Sequence, residues 1–173
     1  MTKAETRSSA TRSLFSFPNP VNEVSARLVA GGVVIMSVFT ITLDLKWATV
    51  VIAYGFVARV LTGPSLSPLG QVATRVITPK LGVAERPVAG PPKRFAQGIG
   101  AAFSLTALVL TVLGYWGDAQ VVLGLLAVAA LLESALGLCL GCKVFALGMR
   151  AGIVPQEVCE RCNNIWVQAP KAA

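Results

Sequence analysis

Four long apolar segments dominate the pattern of hydrophobic and polar positions along this chain. They cover residues 28–43, 47–61, 95–116 and 121–139, and short polar turns join the first to the second and the third to the fourth. At about 1.5 Å of helical rise per residue, roughly 20 residues cross the hydrocarbon core of a bilayer. The last two segments reach that length easily, and the first two are short but sufficient. The pattern predicts an all-α integral membrane four-helix bundle made of two helical hairpins.

The overall composition agrees with lipid rather than water as the surrounding solvent. Hydrophobic residues make up 54% of the chain and charged residues only 13%, whereas a soluble domain carries about 25% charge. The segments also lack the polar outer faces that the helices of a soluble bundle need. Histidine is absent, which excludes Ser-His-Asp and Cys-His catalysis and every metal site that requires imidazole. Without a P-loop, dinucleotide fingerprint or nucleophile elbow, an enzyme acting alone on a soluble substrate is not expected.

The cationic residues are sorted to one side of the predicted bundle. Every Lys and Arg except Lys46 precedes the first helix, lies at or between the second and third, or follows the fourth. The positive-inside rule then places both termini and the middle loop in the cytoplasm. Asp44, Lys46 and Asp118 mark the outer turns. The expected partner of the basic excess is the lipid bilayer, and no nucleic acid is expected.

The same pattern divides the chain into four parts. They are a polar N-terminal tail (1–17), a transmembrane domain (18–142) that includes a cytoplasmic linker (64–94), a small cysteine-rich cytoplasmic cap (143–166) and a short tail (167–173). Within the linker, Ser67 as N-cap and Pro68 at the first helical position predict a short helix, which Pro79 would end. That helix would lie on the inner leaflet or pack on the bundle.

A repeated spacing singles out two charges inside the predicted membrane domain. Arg59 lies fifteen residues after Asp44, and Glu133 lies fifteen residues after Asp118. A charge inside a membrane is normally paired or lines a polar cavity, so an Arg59–Glu133 pair is predicted. It could serve as a structural bridge or belong to an ion pathway. Small residues that allow close helix packing stand four positions before and after each charge: Gly55, Gly63, Ala129 and Gly137.

The four cysteines carry the clearest chemical signal in the chain. Cys139 and Cys142 form one C-x-x-C unit, and Cys159 and Cys162 form a second one after sixteen intervening residues. Two such units can supply four thiolates to a Zn²⁺ ion. Alternatively, because the cytosol is reducing, Cys139 and Cys142 can form a dithiol that exchanges electrons or carries sulfur, with no cofactor. On a fourth helix that runs into Cys139, the helix dipole would disfavour a thiolate there, unless Gly141 breaks the helix and Cys142 begins a new one.

Two motifs give the chain a resemblance to a known family. The segments GPPKRF at 90–95 and LCLGCKVF at 138–145 resemble those of an uncharacterised bacterial integral-membrane family, domain of unknown function 4395. The resemblance covers about residues 18–166. It implies a four-helix membrane domain with a cysteine pair at the end of the last helix, and it implies no catalytic residue.

These features lead to two main hypotheses for the function. In the first, the protein is a plasma-membrane thiol protein whose catalytic residues, Cys139 and Cys142, exchange electrons or sulfur with a cytosolic thioredoxin-like or sulfurtransferase partner. In the second, it is a non-enzymatic accessory subunit of a larger membrane complex, in which Cys139, Cys142, Cys159 and Cys162 hold a structural zinc ion. A small transporter built on the repeated hairpins is a third alternative.

Overall fold

The structure, a computed structural model, describes residues 19–84, 86–154 and 158 and is mostly helical. Three helices are long and apolar enough to cross a membrane, and a fourth is apolar but has only 15 residues. Each corresponds to one of the apolar segments predicted from the sequence. The three long helices are α1 (Glu23–Thr42), α5 (Gly90–Val112) and α6 (Trp116–Leu136), and the shorter one is α2 (Ala48–Thr62).

The two hairpins pack against each other through reciprocal contacts. Helix α1 packs mainly on α6, α2 packs mainly on α5, and α5 also contacts α6. The apolar core between them includes Val33, Ile52, Phe56 and Leu123. Gly100 lets α5 approach α2 closely, because a Cβ atom there would lie 2.2 Å from a ring carbon of Phe56. Small residues thus set the helix spacing at this contact.

The predicted outer turns are tied together by one carboxylate. Asp44 accepts hydrogen bonds from Trp116 Nε1 at 2.8 Å and from Gln120 Nε2 at 3.0 Å. The Lys46 ammonium lies 5.9 Å from the centroid of the Trp116 ring, within reach of a cation–π interaction. The turn of the first hairpin is therefore fastened to the start of α6 in the second.

The linker between the hairpins contains the predicted short helix, but it is longer than expected. Ser67 is the N-cap and its side chain accepts from the Gly70 amide, as predicted. The prediction that Pro79 ends the helix is wrong, because helical structure continues to Leu81 and ends at Gly82, which has φ +60°. Proline is tolerated because it stands in the first turn of a new helical piece, where its missing N–H leaves no bond unmade. The pieces are α3 (Pro68–Gln71), a π-helical turn (Val72–Ile77) and α4 (Thr78–Leu81).

A short β-pair, which the sequence analysis did not predict, joins the starts of the two hairpins. Strand β1 (Val21–Asn22) pairs antiparallel with β2 (Pro87–Val88). Next to it, the Asn19 side chain accepts a hydrogen bond from the Gly90 amide at 2.9 Å. The first residues of α1 and α5 are thereby held at the same end of the molecule.

Candidate functional site

A break in the helical structure separates Cys139 from the last long helix. Helix α6 ends at Leu136, Gly137 follows with φ +68°, and a new helix, α7 (Leu140–Arg150), begins directly after Cys139. The expectation that the fourth helix runs into Cys139 is therefore corrected. Glycine permits this break because the left-handed conformation is strained for residues with a Cβ atom.

The end of α6 is stabilised by a cation from α1. Arg27 donates from Nε to the Ser134 carbonyl at 3.1 Å and from Nη2 to the Ala135 carbonyl at 2.8 Å. These carbonyls belong to the last turn of α6, which has no further helical partners for them. A positive charge at a helix C-terminus also interacts favourably with the helix dipole. Arg27 thus stabilises the end of α6 just before the cysteines.

Cys139 and Cys142 occupy the start of α7, where a helix favours negative charge. Cys139 is the N-cap residue, with extended backbone at φ −82° and ψ 103°, and Cys142 stands at the third helical position. Both side chains are free thiols; Cys139 is buried and Cys142 is half-buried. Unpaired N–H groups and the positive end of the dipole stabilise a thiolate at such a position. The sequence interpretation that the dipole disfavours a thiolate is thus reversed by the break at Gly137.

The two thiols interact so that the negative charge is favoured on Cys139. Hydrogen bonding with the Cys142 thiol lowers the pKa of Cys139, and the nearby Lys93 also lowers it, while burial and Glu133 act in the opposite direction. The same hydrogen bond, together with burial, raises the pKa of Cys142. Within the pair, the negative charge is therefore favoured on Cys139 over Cys142.

Close packing of α7 on α5 fixes the position of the cysteine pair. A Cβ atom at Gly141 would lie 2.6 Å from the Cα of Ala96. One turn further on, the Phe145 ring packs on Phe95 with centroids 5.5 Å apart. The glycine inside the C-x-x-C unit is therefore required by the backbone contact between the two helices.

Glu133 is paired, but its partner is Lys93 in place of the predicted Arg59. The Lys93 ammonium lies 2.7 Å from Glu133 Oε1, and the two side chains are 10% and 16% exposed. Sequence analysis assigned Lys93 to the cytoplasmic loop, whereas α5 begins at Gly90 and carries Lys93 into the bundle. The two prolines that follow Gly90 could have indicated this early start, because proline favours the first turn of a helix.

Arg59 is buried and bound by neutral groups. It is 5% exposed and donates from Nε to Gln97 Oε1 and from Nη1 to Ser67 Oγ, both at 3.0 Å. Its guanidinium carbon lies 4.5 Å from the centroid of the Phe56 ring. Arg59 therefore joins α2 to α5 and to the N-cap of α3. Sequence reasoning missed Gln97, which has no charge or motif to single it out.

The second cysteine pair, Cys159 and Cys162, lies outside the described residues, as does the tail predicted for residues 1–17. Most of the predicted cap from 155 onward is likewise outside them. Within the described part of the chain, no three His, Cys, Asp or Glu side chains lie close enough to hold a metal ion. The structure thus brings together Cys139, Cys142, Glu133 and Lys93.

Fold and site together define a helical protein with candidate membrane spans and a dithiol at a helix N-terminus. A family model described as Domain of unknown function (DUF4395) matches residues 21–150, so the chain belongs to that family. This confirms the family membership predicted from the sequence. Comparisons with curated proteins and with solved structures gave no significant match.

Proposed function

We propose that this protein is a thiol protein of the bacterial plasma membrane that exchanges electrons or sulfur through Cys139 and Cys142. Its four apolar helices form a transmembrane four-helix bundle with both termini in the cytoplasm. The three long apolar helices and the grouping of cations at the opposite end from Lys46 support this arrangement. The partner is a cytosolic thioredoxin-like or sulfurtransferase protein.

The observation that carries the proposal is the position of Cys139 at the N-terminus of a separate helix. A thiolate is the nucleophile in thiol–disulfide exchange, and helix N-termini and neighbouring cations favour it. Cys142, one turn away and hydrogen-bonded to Cys139, is placed to act as the resolving thiol. A purely structural cysteine needs neither feature.

The exchange follows from these two roles. The Cys139 thiolate attacks one sulfur of a disulfide, forming a mixed disulfide and releasing the other sulfur as a thiolate that takes up a proton. Cys142 then loses its proton and attacks Cys139 Sγ, which forms the Cys139–Cys142 disulfide and releases the second thiol. Two electrons pass to the partner, and the reverse sequence returns them. In sulfur exchange, the Cys139 thiolate instead attacks the outer sulfur of a partner's persulfide and the partner's thiolate leaves.

Trapping the mixed disulfide tests the proposal. We expect Cys142→Ser to accumulate a disulfide between Cys139 and an oxidised thioredoxin-like protein, and Cys139→Ser to form none. Non-reducing gels and mass spectrometry would identify the linked peptides, with Cys159→Ser/Cys162→Ser as the control that should still exchange. If Cys139 stays unlinked in the Cys142→Ser protein, the proposed exchange is wrong.

An alternative function is that of an accessory subunit of a larger membrane complex, stiffened by a four-cysteine zinc site. It is supported by the spacing of Cys139, Cys142, Cys159 and Cys162. Zinc analysis separates the two proposals. About one zinc per purified chain, lost in the Cys159→Ser/Cys162→Ser protein, would favour the subunit, and a metal-free chain with four alkylatable thiols would exclude it.

A further inference from the structure

A cavity of about 400 Å³ leads from the outside of the helices to Cys139. Its walls are mostly apolar and come from α1, α2, α5 and α6. Leu125 and Val128 line it near the surface and are 56% and 57% exposed. They belong to a helix that is long and apolar enough to span a membrane, so this side of the cavity would face hydrocarbon in a bilayer.

Four polar side chains stand among the apolar residues that line the same cavity. Cys139, Glu133, Gln97 and Arg59 line it together with the start of α7. Arg59 Nε donates to Gln97 Oε1, which orients the amide. A mostly apolar cavity with a few polar groups in its lining is typical of a site for a small ligand. Here the ligand would lie against a sulfur nucleophile.

We propose that this cavity, which we call the thiol cavity, binds a membrane-soluble quinone that oxidises the Cys139–Cys142 dithiol. This inference rests on the proposed function, because a reduced cytosolic partner would return electrons to the oxidised pair by the reverse of the exchange described above. The apolar walls select a molecule that is dissolved in the bilayer. The thiols in turn require an acceptor of two electrons with an electrophilic centre, and a quinone ring meets both demands.

The reaction balances without any further redox partner. The Cys139 thiolate adds to a ring carbon of the quinone, forming a carbon–sulfur bond. Cys142, as its proton leaves, attacks Cys139 Sγ, so that the sulfur–sulfur bond forms and the carbon–sulfur bond breaks with its electron pair left on the ring. The two hydroquinone protons come from the Cys142 thiol and from solvent. One quinone becomes one hydroquinone, and one dithiol becomes one disulfide.

The test uses the full-length protein in lipid nanodiscs, reduced, freed of reductant and kept under nitrogen. A ubiquinone analogue and a menaquinone analogue with short prenyl tails are the probes. We expect each chain to reduce one equivalent of quinone and to lose two thiols, with a Cys139–Cys142 disulfide found by mass spectrometry. The Cys139→Ser protein should reduce none.

A variant that fills the thiol cavity separates binding of the quinone from chemistry of the thiols. Ala129 lines the cavity, so Ala129→Leu should slow quinone reduction about tenfold more than it slows exchange with an oxidised thioredoxin-like protein. Ala102, an exposed residue of α5, offers the matched control Ala102→Leu, which should slow neither reaction.

Three outcomes overturn the inference, and the first two differ in what they say about the proposed function. If the wild-type pair exchanges with the thioredoxin-like protein but no quinone is reduced, only the proposal that the thiol cavity binds a quinone fails. If neither oxidant forms the disulfide, the proposed function fails as well. Equal slowing by Ala129→Leu and Ala102→Leu would also contradict a quinone in this cavity.

Discussion

The two hairpins, at their ends opposite Asp44, follow the same plan and differ at one chemical position. In the first, Gly63 has φ +64° and donates its N–H to the Arg59 carbonyl at 2.9 Å. In the second, Gly137 has φ +68° and donates to the Glu133 carbonyl at 3.0 Å. Each glycine ends its helix four residues after a charge, and a short helix follows.

The two hairpins differ in the residue that caps the short helix after each of them. Ser67 caps α3, and its oxygen accepts from the Gly70 amide at 3.3 Å and from Arg59 Nη1 at 3.0 Å. Cys139 caps α7, and the position that corresponds to Gly70 holds Cys142. A hydroxyl at an N-cap stabilises a helix, whereas a thiol there gains thiolate character. Under the proposed function, the second hairpin uses a stabilising feature of the fold to activate a sulfur.

The largest effect is expected from replacing Cys139 with serine, the residue type that caps the short helix after the first hairpin. Cys139→Ser should lower exchange with a disulfide partner by about 10³-fold or more, because the nucleophile is lost, while thermal stability changes little, because serine is a good N-cap. Thiol-exchange rates and thermal unfolding in detergent measure the two effects. A large loss of stability without loss of exchange would show that Cys139 is a structural residue.

The next effect concerns Glu133, the charged residue four positions before Gly137. Glu133→Gln leaves Lys93 buried without its carboxylate and should lower the free energy of unfolding by about 2 kcal/mol. Replacing both partners, as Lys93→Met/Glu133→Gln, should restore most of that loss. Unfolding in mixed detergent provides the measurement. Asp118→Asn, at an exposed carboxylate of the same helix, should change stability by less than about 1 kcal/mol; an equal effect of the two variants would argue against a buried pair.

A smaller effect is expected at the glycines themselves. Gly63→Ala and Gly137→Ala should each lower stability by about 1 kcal/mol, because alanine is strained at positive φ. Only Gly137→Ala should also slow alkylation of Cys139, since it alone disturbs the start of α7. Gly124→Ala serves as the control. Gly124 lacks a positive φ, and in the described part of the chain no atom of another element lies within 4 Å of the position that its Cβ atom would take. Equal slowing by both strained variants would remove the distinction between the two ends.

The most subtle prediction is a shift in the pH dependence of sulfur reactivity. The thiolate is the reactive form, and hydrogen bonding with Cys142 lowers the pKa of Cys139. Alkylation of Cys139 should therefore reach half its maximal rate at a lower pH than alkylation of an ordinary thiol. Cys142→Ser weakens the hydrogen bond and should move that midpoint upward. Rates with a small, membrane-permeant alkylating agent provide the measurement; a midpoint that moves downward would contradict the assigned roles.

Much of the fold could be predicted because apolar length and turn chemistry are local properties. The four apolar segments, Ser67 as an N-cap and Asp44 at a turn all follow from a few neighbouring residues. The partner of Glu133 could not be predicted, since it depends on where α5 begins and on which of the long basic side chains are buried in the bundle. The helix break at Gly137 was also out of reach, because several glycines near the cysteines could end a helix and only the packing of α7 on α5 selects one.

Redox titration of the full-length Cys159→Ser/Cys162→Ser protein tests the central claim most directly. The protein would be equilibrated in glutathione buffers of graded potential, quenched with acid, and its Cys139–Cys142 peptides quantified by mass spectrometry. The account predicts reversible conversion between a dithiol and an intramolecular disulfide, with the two-electron slope of about 30 mV per tenfold change. If Cys139 and Cys142 remain separate thiols across the whole range, or take up glutathione independently, the pair is not a redox unit.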